Sequence, residues 1–138
     1  MKKILAILLL SILTSCINHQ KSATEKNLTT KSKELTFLKP REVLISELKN
    51  MWNAQSVSIA KSEQNWNGKV TNSITVFINN TKKSSSEEID KTLIPSLNLL
   101  KNYIINYKQF QKINIYYSFI TKSGEQLNGK REFLTEKI

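Results

Sequence analysis

The sequence predicts an α+β domain: a two-layer sandwich in the order α-β-β-α-β-β, with two helices on one face of a four-stranded antiparallel sheet. Three observations carry this expectation. Two segments repeat apolar residues at three- and four-residue steps, Val43, Leu44, Leu48, Met51, Trp52 and then Ile89, Leu93, Leu97, Leu100, Ile104, the spacing that lines one face of a helix. Between and after them, apolar and polar residues alternate as a half-buried strand requires, most clearly at Ile113, Ile115, Tyr117 and Phe119. Turn-forming pairs, Asn67-Gly68, Ser123-Gly124 and Asn128-Gly129, punctuate the alternation. Elements that are apolar on one side must bury that side against one another, and two layers are the simplest way to do so.

Taken in order, the first helix is expected from about Pro40 to Asn53, because proline fits the first turn, where its missing N–H costs nothing. Trp52 closes its apolar stripe against the sheet. Val57 and Ile59 alternate with serines, Glu63 to Gly68 reads as a polar turn, and Ile74, Val76 and Ile78 form the returning strand with Ser73, Thr75 and Phe77 between them. Trp66, at or near that turn, is expected either to pack over the hairpin end or to serve surface recognition. Ser85 and Glu88 have the spacing of a capping box, and Glu87 and Glu88 suit the positive end of a helix dipole. Pro95 falls inside this second helix and is expected to kink or split it. After the strand around Ile113 to Phe119, the return strand is expected from Lys130 to Thr135, with a short strand or bulge near Gln126 as the alternative.

The domain spans 36–138, roughly one hundred residues and enough for one core without disulfides. What precedes it is different in kind. Lys2 and Lys3 are followed by Ile4 to Leu13, an apolar run broken only by Ser11. Ten helical residues rise about 15 Å, half the thickness of a bilayer core, so the run suits an export signal and not a permanent span. It ends in Leu13-Thr14-Ser15-Cys16, and Cys16 is the one cysteine of the chain. These residues resemble the lipobox of bacterial lipoproteins. The resemblance implies a signal peptide at 1–15, cleavage before Cys16, and covalent attachment of acyl chains to Cys16 as the membrane anchor. Several acyl chains hold a protein far more firmly than one. Ile17 stands where an aspartate would retain such a lipoprotein at the inner membrane, so the resemblance points to the outer membrane, facing either the periplasm or the cell surface. Residues 16–35, rich in Lys, Ser, Thr and Asn, lack the apolar content to offset the entropy of ordering and read as a flexible tether.

A single cysteine excludes an intrachain disulfide and any multi-cysteine metal site. The sole histidine, His19, lies in the tether, where solvation accounts for it. The carboxylates of the domain sit mostly at helix starts, turns and the tail, and only one aspartate, Asp90, occurs. No phosphate loop or dinucleotide fingerprint is present. The residues therefore point away from an enzyme and imply no cofactor and no metal.

The charge is strongly basic, with 21 Lys and Arg against 11 Asp and Glu. Such an excess favours an acidic surface as partner, whether anionic lipid, polysaccharide or protein, and the lysines of the tether add adhesion near a membrane. Nucleic acid is disfavoured by the export signal and by the lack of a basic-aromatic motif. The expected function is that of a membrane-anchored accessory or interaction module binding an envelope protein, with Trp66 and Tyr116 as its interaction surface. The alternatives are an inhibitor or immunity lipoprotein directed at a periplasmic toxin or hydrolase, and a hydrolase of unfamiliar design. An exposed patch on the helix-free sheet face, including Tyr116, is what a binding role requires.

Overall fold

The computed structural model describes residues 34–138; the expected signal peptide, Cys16, His19 and the tether up to residue 33 lie outside the described residues. The elements are α1 (Arg41–Trp52), β1 (Ser56–Trp66), β2 (Lys69–Thr81), α2 (Ser86–Tyr103), β3 (Lys112–Ile120) and β4 (Gln126–Leu134), with short 3₁₀ turns at Tyr107–Gln109 and Thr135–Lys137. The order α-β-β-α-β-β and the two-layer α+β arrangement agree with expectation. The sheet does not. Its strands lie in the order β1-β2-β3-β4, and although the outer pairs are antiparallel hairpins, the central pair β2–β3 is parallel. The reason lies in the connection. An α2 of 18 residues spans about 27 Å and carries the chain back to the end of the sheet where β2 began, so β3 starts out in the direction of β2.

Within α1, Leu44, Leu48 and Trp52 form the buried stripe, while Val43, expected among them, is exposed. Pro40 stands just before the helix, as its N-cap. Asn53 ends it in the left-handed conformation, φ 47° and ψ 49°, which asparagine tolerates better than most residues. The capping box of α2 is present in full: the Glu88 N–H donates to Ser85 Oγ at 3.2 Å, and the Ser85 N–H donates to the Glu88 carboxylate at 3.4 Å. The bond from the Ser85 N–H, with a second from the Ser84 N–H at 3.3 Å, holds the Glu88 carboxyl below its ordinary pKa. Replacing Ser85 with alanine is expected to cost about 1 kcal/mol, read as a lower urea midpoint at unchanged slope. Pro95 does not split α2, which stays one helix from Ser86 to Tyr103. Pro95 and Lys91, whose carbonyl loses its partner, are both on the solvent side, where water can take the place of the missing bond.

The first hairpin is longer than its sequence suggests. The strands run to Trp66 and resume at Lys69, leaving only Asn67 (φ 49°) and Gly68 (φ 78°) in the turn, the pair of positive φ values that a two-residue hairpin of matching twist needs. Strand β4 also differs from expectation. It begins at Gln126, so Asn128-Gly129 is inside a strand and not a turn; the bend lies at Ser123-Gly124, closed by the Thr121 N–H donating to the Glu125 carbonyl at 2.8 Å.

One face of the sheet carries Val57, Ile59, Ile74, Val76, Ile78, Ile113, Ile115 and Tyr117, which form a single buried cluster with the apolar stripes of both helices. Both helices thus cover the same face, as expected. Trp52 is at the centre: fully buried, stacked on Tyr117 with ring centroids 5.7 Å apart, its Nε1–H donating to Ser96 Oγ of α2 at 2.8 Å. Ser96 in turn donates to the Thr92 carbonyl at 2.7 Å. One side chain therefore ties α1, α2 and β3 together.

Candidate binding surface

The face of the sheet turned away from the helices is not covered by any other element among the described residues, and the strand register arranges its side chains in rows. Where β2, β3 and β4 run side by side, Phe77, Tyr116 and Lys130 are aligned across the strands. The Phe77 and Tyr116 rings stack at 5.3 Å with 18° between their planes, and Lys130 Nζ stands 5.4 Å from the Tyr116 ring centroid. Phe77 is 41% exposed. Residues two apart on a strand point the same way, and a parallel or antiparallel partner places its own residue directly alongside, so this row follows from the register and not from any local motif.

The next row holds Ala60, Thr75, Asn114 and Glu132, and the one beyond it Ser62, Ser73, Lys112 and Leu134. Ser62 Oγ lies 2.7 Å from Ser73 Oγ and 2.9 Å from Thr75 Oγ1, a small hydroxyl network. Glu132 accepts from Lys112 at 2.7 Å and from Lys130 at 3.2 Å. The bond from Lys112, followed by that from Lys130, holds the Glu132 carboxyl below its ordinary pKa. The bond to Glu132 raises that of the Lys130 ammonium. The ion pair with Glu132 places the Lys130 ammonium beside the Tyr116 ring. Asn114 is buried, and its Oδ1 is the one buried side-chain polar atom without a hydrogen-bond partner among the described residues. Such an orphan acceptor costs about 1–3 kcal/mol.

Two shallow clefts flank the aromatic pair. One, of about 280 Å³, is lined by Phe77, Asn79, Tyr116, Ser118 and Asn128 among others. The second, of about 400 Å³, is lined by Ser62, Gln64, Thr75, Phe77, Asn114 and Tyr116 among others. Aromatic walls, hydroxyls and amides converge there, with Lys61 in the lining of the second cleft and Lys130 beside the Tyr116 ring, a composition suited to gripping a surface group of a partner.

Trp66 does not belong to this site. Its cross-strand partner is Lys69, and from there to Phe77 along β2 is about 26 Å. By strand alternation Trp66 is on the same helix-free side as Tyr116, but it stands at the hairpin tip, well apart from the aromatic pair. Nor does Trp66 pack over the hairpin end, for it is 80% exposed. Trp52, by contrast, is core, as expected. Sequence reasoning passed over Phe77, Lys130 and Asn114; Phe77 sits among the polar residues of β2's outward set, and that break in the alternation was the signal available. No group of three or more His, Cys, Asp or Glu side chains able to hold a metal occurs among the described residues, and no described helix is long and apolar enough to cross a membrane. Comparison of the chain with protein-family models, with curated proteins and with solved structures finds no match.

Proposed function

We propose that this chain is a lipid-anchored envelope protein, held at the outer membrane through Cys16, whose domain binds a partner protein through the helix-free sheet face and carries out no catalysis. The observation that supports the binding role is the stacked Phe77–Tyr116 pair, two large aromatic rings held in register on a face that nothing else in the domain covers. Buried aromatic anchors dominate interface energetics, and rings already stacked lose little freedom on binding. Lys130 beside them favours an acidic group on the partner. Asn114, in the lining of the adjoining cleft, has a side-chain acceptor without a partner among the described residues. The anchor itself rests on Leu13-Thr14-Ser15-Cys16.

The test is crosslinking in intact cells followed by capture through a C-terminal tag. One stoichiometric protein is expected, and changing Phe77 and Tyr116 to alanine should weaken its binding at least about 30-fold, the equivalent of one anchor of roughly 2 kcal/mol. Circular dichroism of the double variant should match the wild type, since both rings lie outside the core. A toxin or hydrolase silenced by the capture would identify the inhibitor role. A folded, anchored protein that captures nothing sinks the proposal. Cys16→Ser should move the protein out of the membrane fraction.

A further inference from the structure

Four exposed apolar side chains, Leu38, Trp66, Ile105 and Leu134, lie at the end of the domain where the chain enters, while Ile120 and Leu127 lie at the opposite end. Strand β1 runs toward this end and β2 leaves it; α2 finishes there, β3 starts there and β4 finishes there. The entering segment is fastened beside the end of α2: the Thr36 N–H donates to Asn106 Oδ1 at 2.9 Å, the Ile105 N–H donates to the Thr36 carbonyl at 2.9 Å, and the Leu38 N–H donates to the Tyr103 carbonyl at 2.8 Å. Those bonds hold Leu38, 64% exposed, close to Ile105, 60% exposed. Beyond them projects the first hairpin. The parallel pairing with β3 begins at Ser73, and the Gln111 N–H bonds the Asn72 carbonyl, so Lys69 to Thr71 and their partners Gln64 to Trp66 extend as a two-stranded ribbon about 10 Å past the sheet. Trp66, the most exposed large apolar side chain described, is at its tip.

We infer that this end rests on the bilayer, with Trp66 inserted at the headgroup level and Leu38 and Ile105 against the surface. The inference rests on the anchor proposed above. Indole, apolar in body with one N–H donor, is favoured at the boundary between hydrocarbon and water. Exposed Lys39, Lys69 and Lys108 are at the same end, while the nearest carboxylate of the entering chain, Glu34, is engaged by Lys61. The chain from Cys16 to Lys33 contributes four lysines against one glutamate, a balance that anionic headgroups attract. Three apolar side chains would hold a free protein only weakly. An anchor on the same chain turns their contact into an intramolecular event at high effective concentration, so a small patch suffices. The open sheet face, whose strands run toward this end, then stands upright on the membrane and accessible to a partner.

The test uses the full mature protein, purified from membranes and reconstituted into phosphatidylethanolamine–phosphatidylglycerol vesicles whose acyl chains carry bromine, a contact quencher of indole. Acylation of Cys16 is read separately by mass spectrometry. Bromine should quench the wild-type emission and leave Trp66→Phe unaffected, because the remaining emitter, Trp52, is buried in the domain. Acylated protein whose Trp66 emission is unquenched overturns the inference and leaves the anchor standing. Emission shifted to shorter wavelength without quenching places Trp66 against protein, such as a second copy, and also overturns it. A chain recovered without acyl groups removes the anchor and the inference together.

Discussion

Trp52→Ala is expected to lower the unfolding free energy by about 3–5 kcal/mol, the range for emptying a buried tryptophan site. That is a large part of the 5–15 kcal/mol that a domain typically has. The magnitude follows from what the side chain joins. It is fully buried at the end of α1, stacks on Tyr117 of β3, and donates to Ser96 of α2. Alanine leaves a cavity at the meeting point of three elements and strips the Ser96 hydroxyl of its donor. Urea denaturation followed by circular dichroism measures the loss. Trp52→Phe separates the two contributions, keeping most of the volume and removing the hydrogen bond, and should cost clearly less than alanine. A loss under about 1 kcal/mol for Trp52→Ala would mean that this junction does not hold the layers together.

Gly129→Ala is expected to cost about 1–3 kcal/mol through overpacking, a fall in melting temperature of roughly 4–8 °C for each kcal/mol. A Cβ at this position would stand 2.2 Å from Tyr117 Cζ and 2.4 Å from its hydroxyl oxygen. Gly129 is the cross-strand partner of Tyr117, and the ring occupies the space that any other residue would fill. The tip of a tyrosine could swing aside if it were free. This one is buried and stacked on Trp52, so relief would disturb the junction above it. Gly124→Ala is the contrasting control. Nothing lies within 4 Å of its Cβ position, and only its positive φ of 87° opposes the change. Tyr117→Ala combined with Gly129→Ala should show less than additive loss, because the clash needs both partners.

The helices were legible because their signal is local. Leu44, Leu48 and Trp52, or Ile89, Leu93, Leu97 and Leu100, mark a buried face by spacing alone, and Ser85 with Glu88 marks where the second helix starts. The binding surface was legible only in part. Tyr116 was singled out for standing on the outward side of the clearest strand. Its neighbours Phe77 and Lys130 come from strands 39 and 14 positions away in sequence, and their alignment with Tyr116 is a property of register that no local pattern contains. Asn128-Gly129 was misread for a related reason. The pair is a turn signal wherever the glycine is free, and here the glycine serves the close approach of a ring from the adjacent strand.

By itself, then, the sequence determined the two-layer α+β class, the number and order of the elements, the helix faces that are buried and the cap of the second helix, because these depend on residues within a turn or two of one another. The proposed export signal and anchor at Cys16 rest likewise on a contiguous run, Leu13-Thr14-Ser15-Cys16, which lies outside the described residues. The tertiary structure alone decided that the central strands are parallel, that Phe77, Tyr116 and Lys130 form one row, that Gly129 lies beneath Tyr117, and that Trp66 is held away from them on a projecting ribbon. Each of these depends on which strand lies beside which and in what register, and that is set by the length of α2 and by the packing of apolar faces that meet only when the chain has closed on itself.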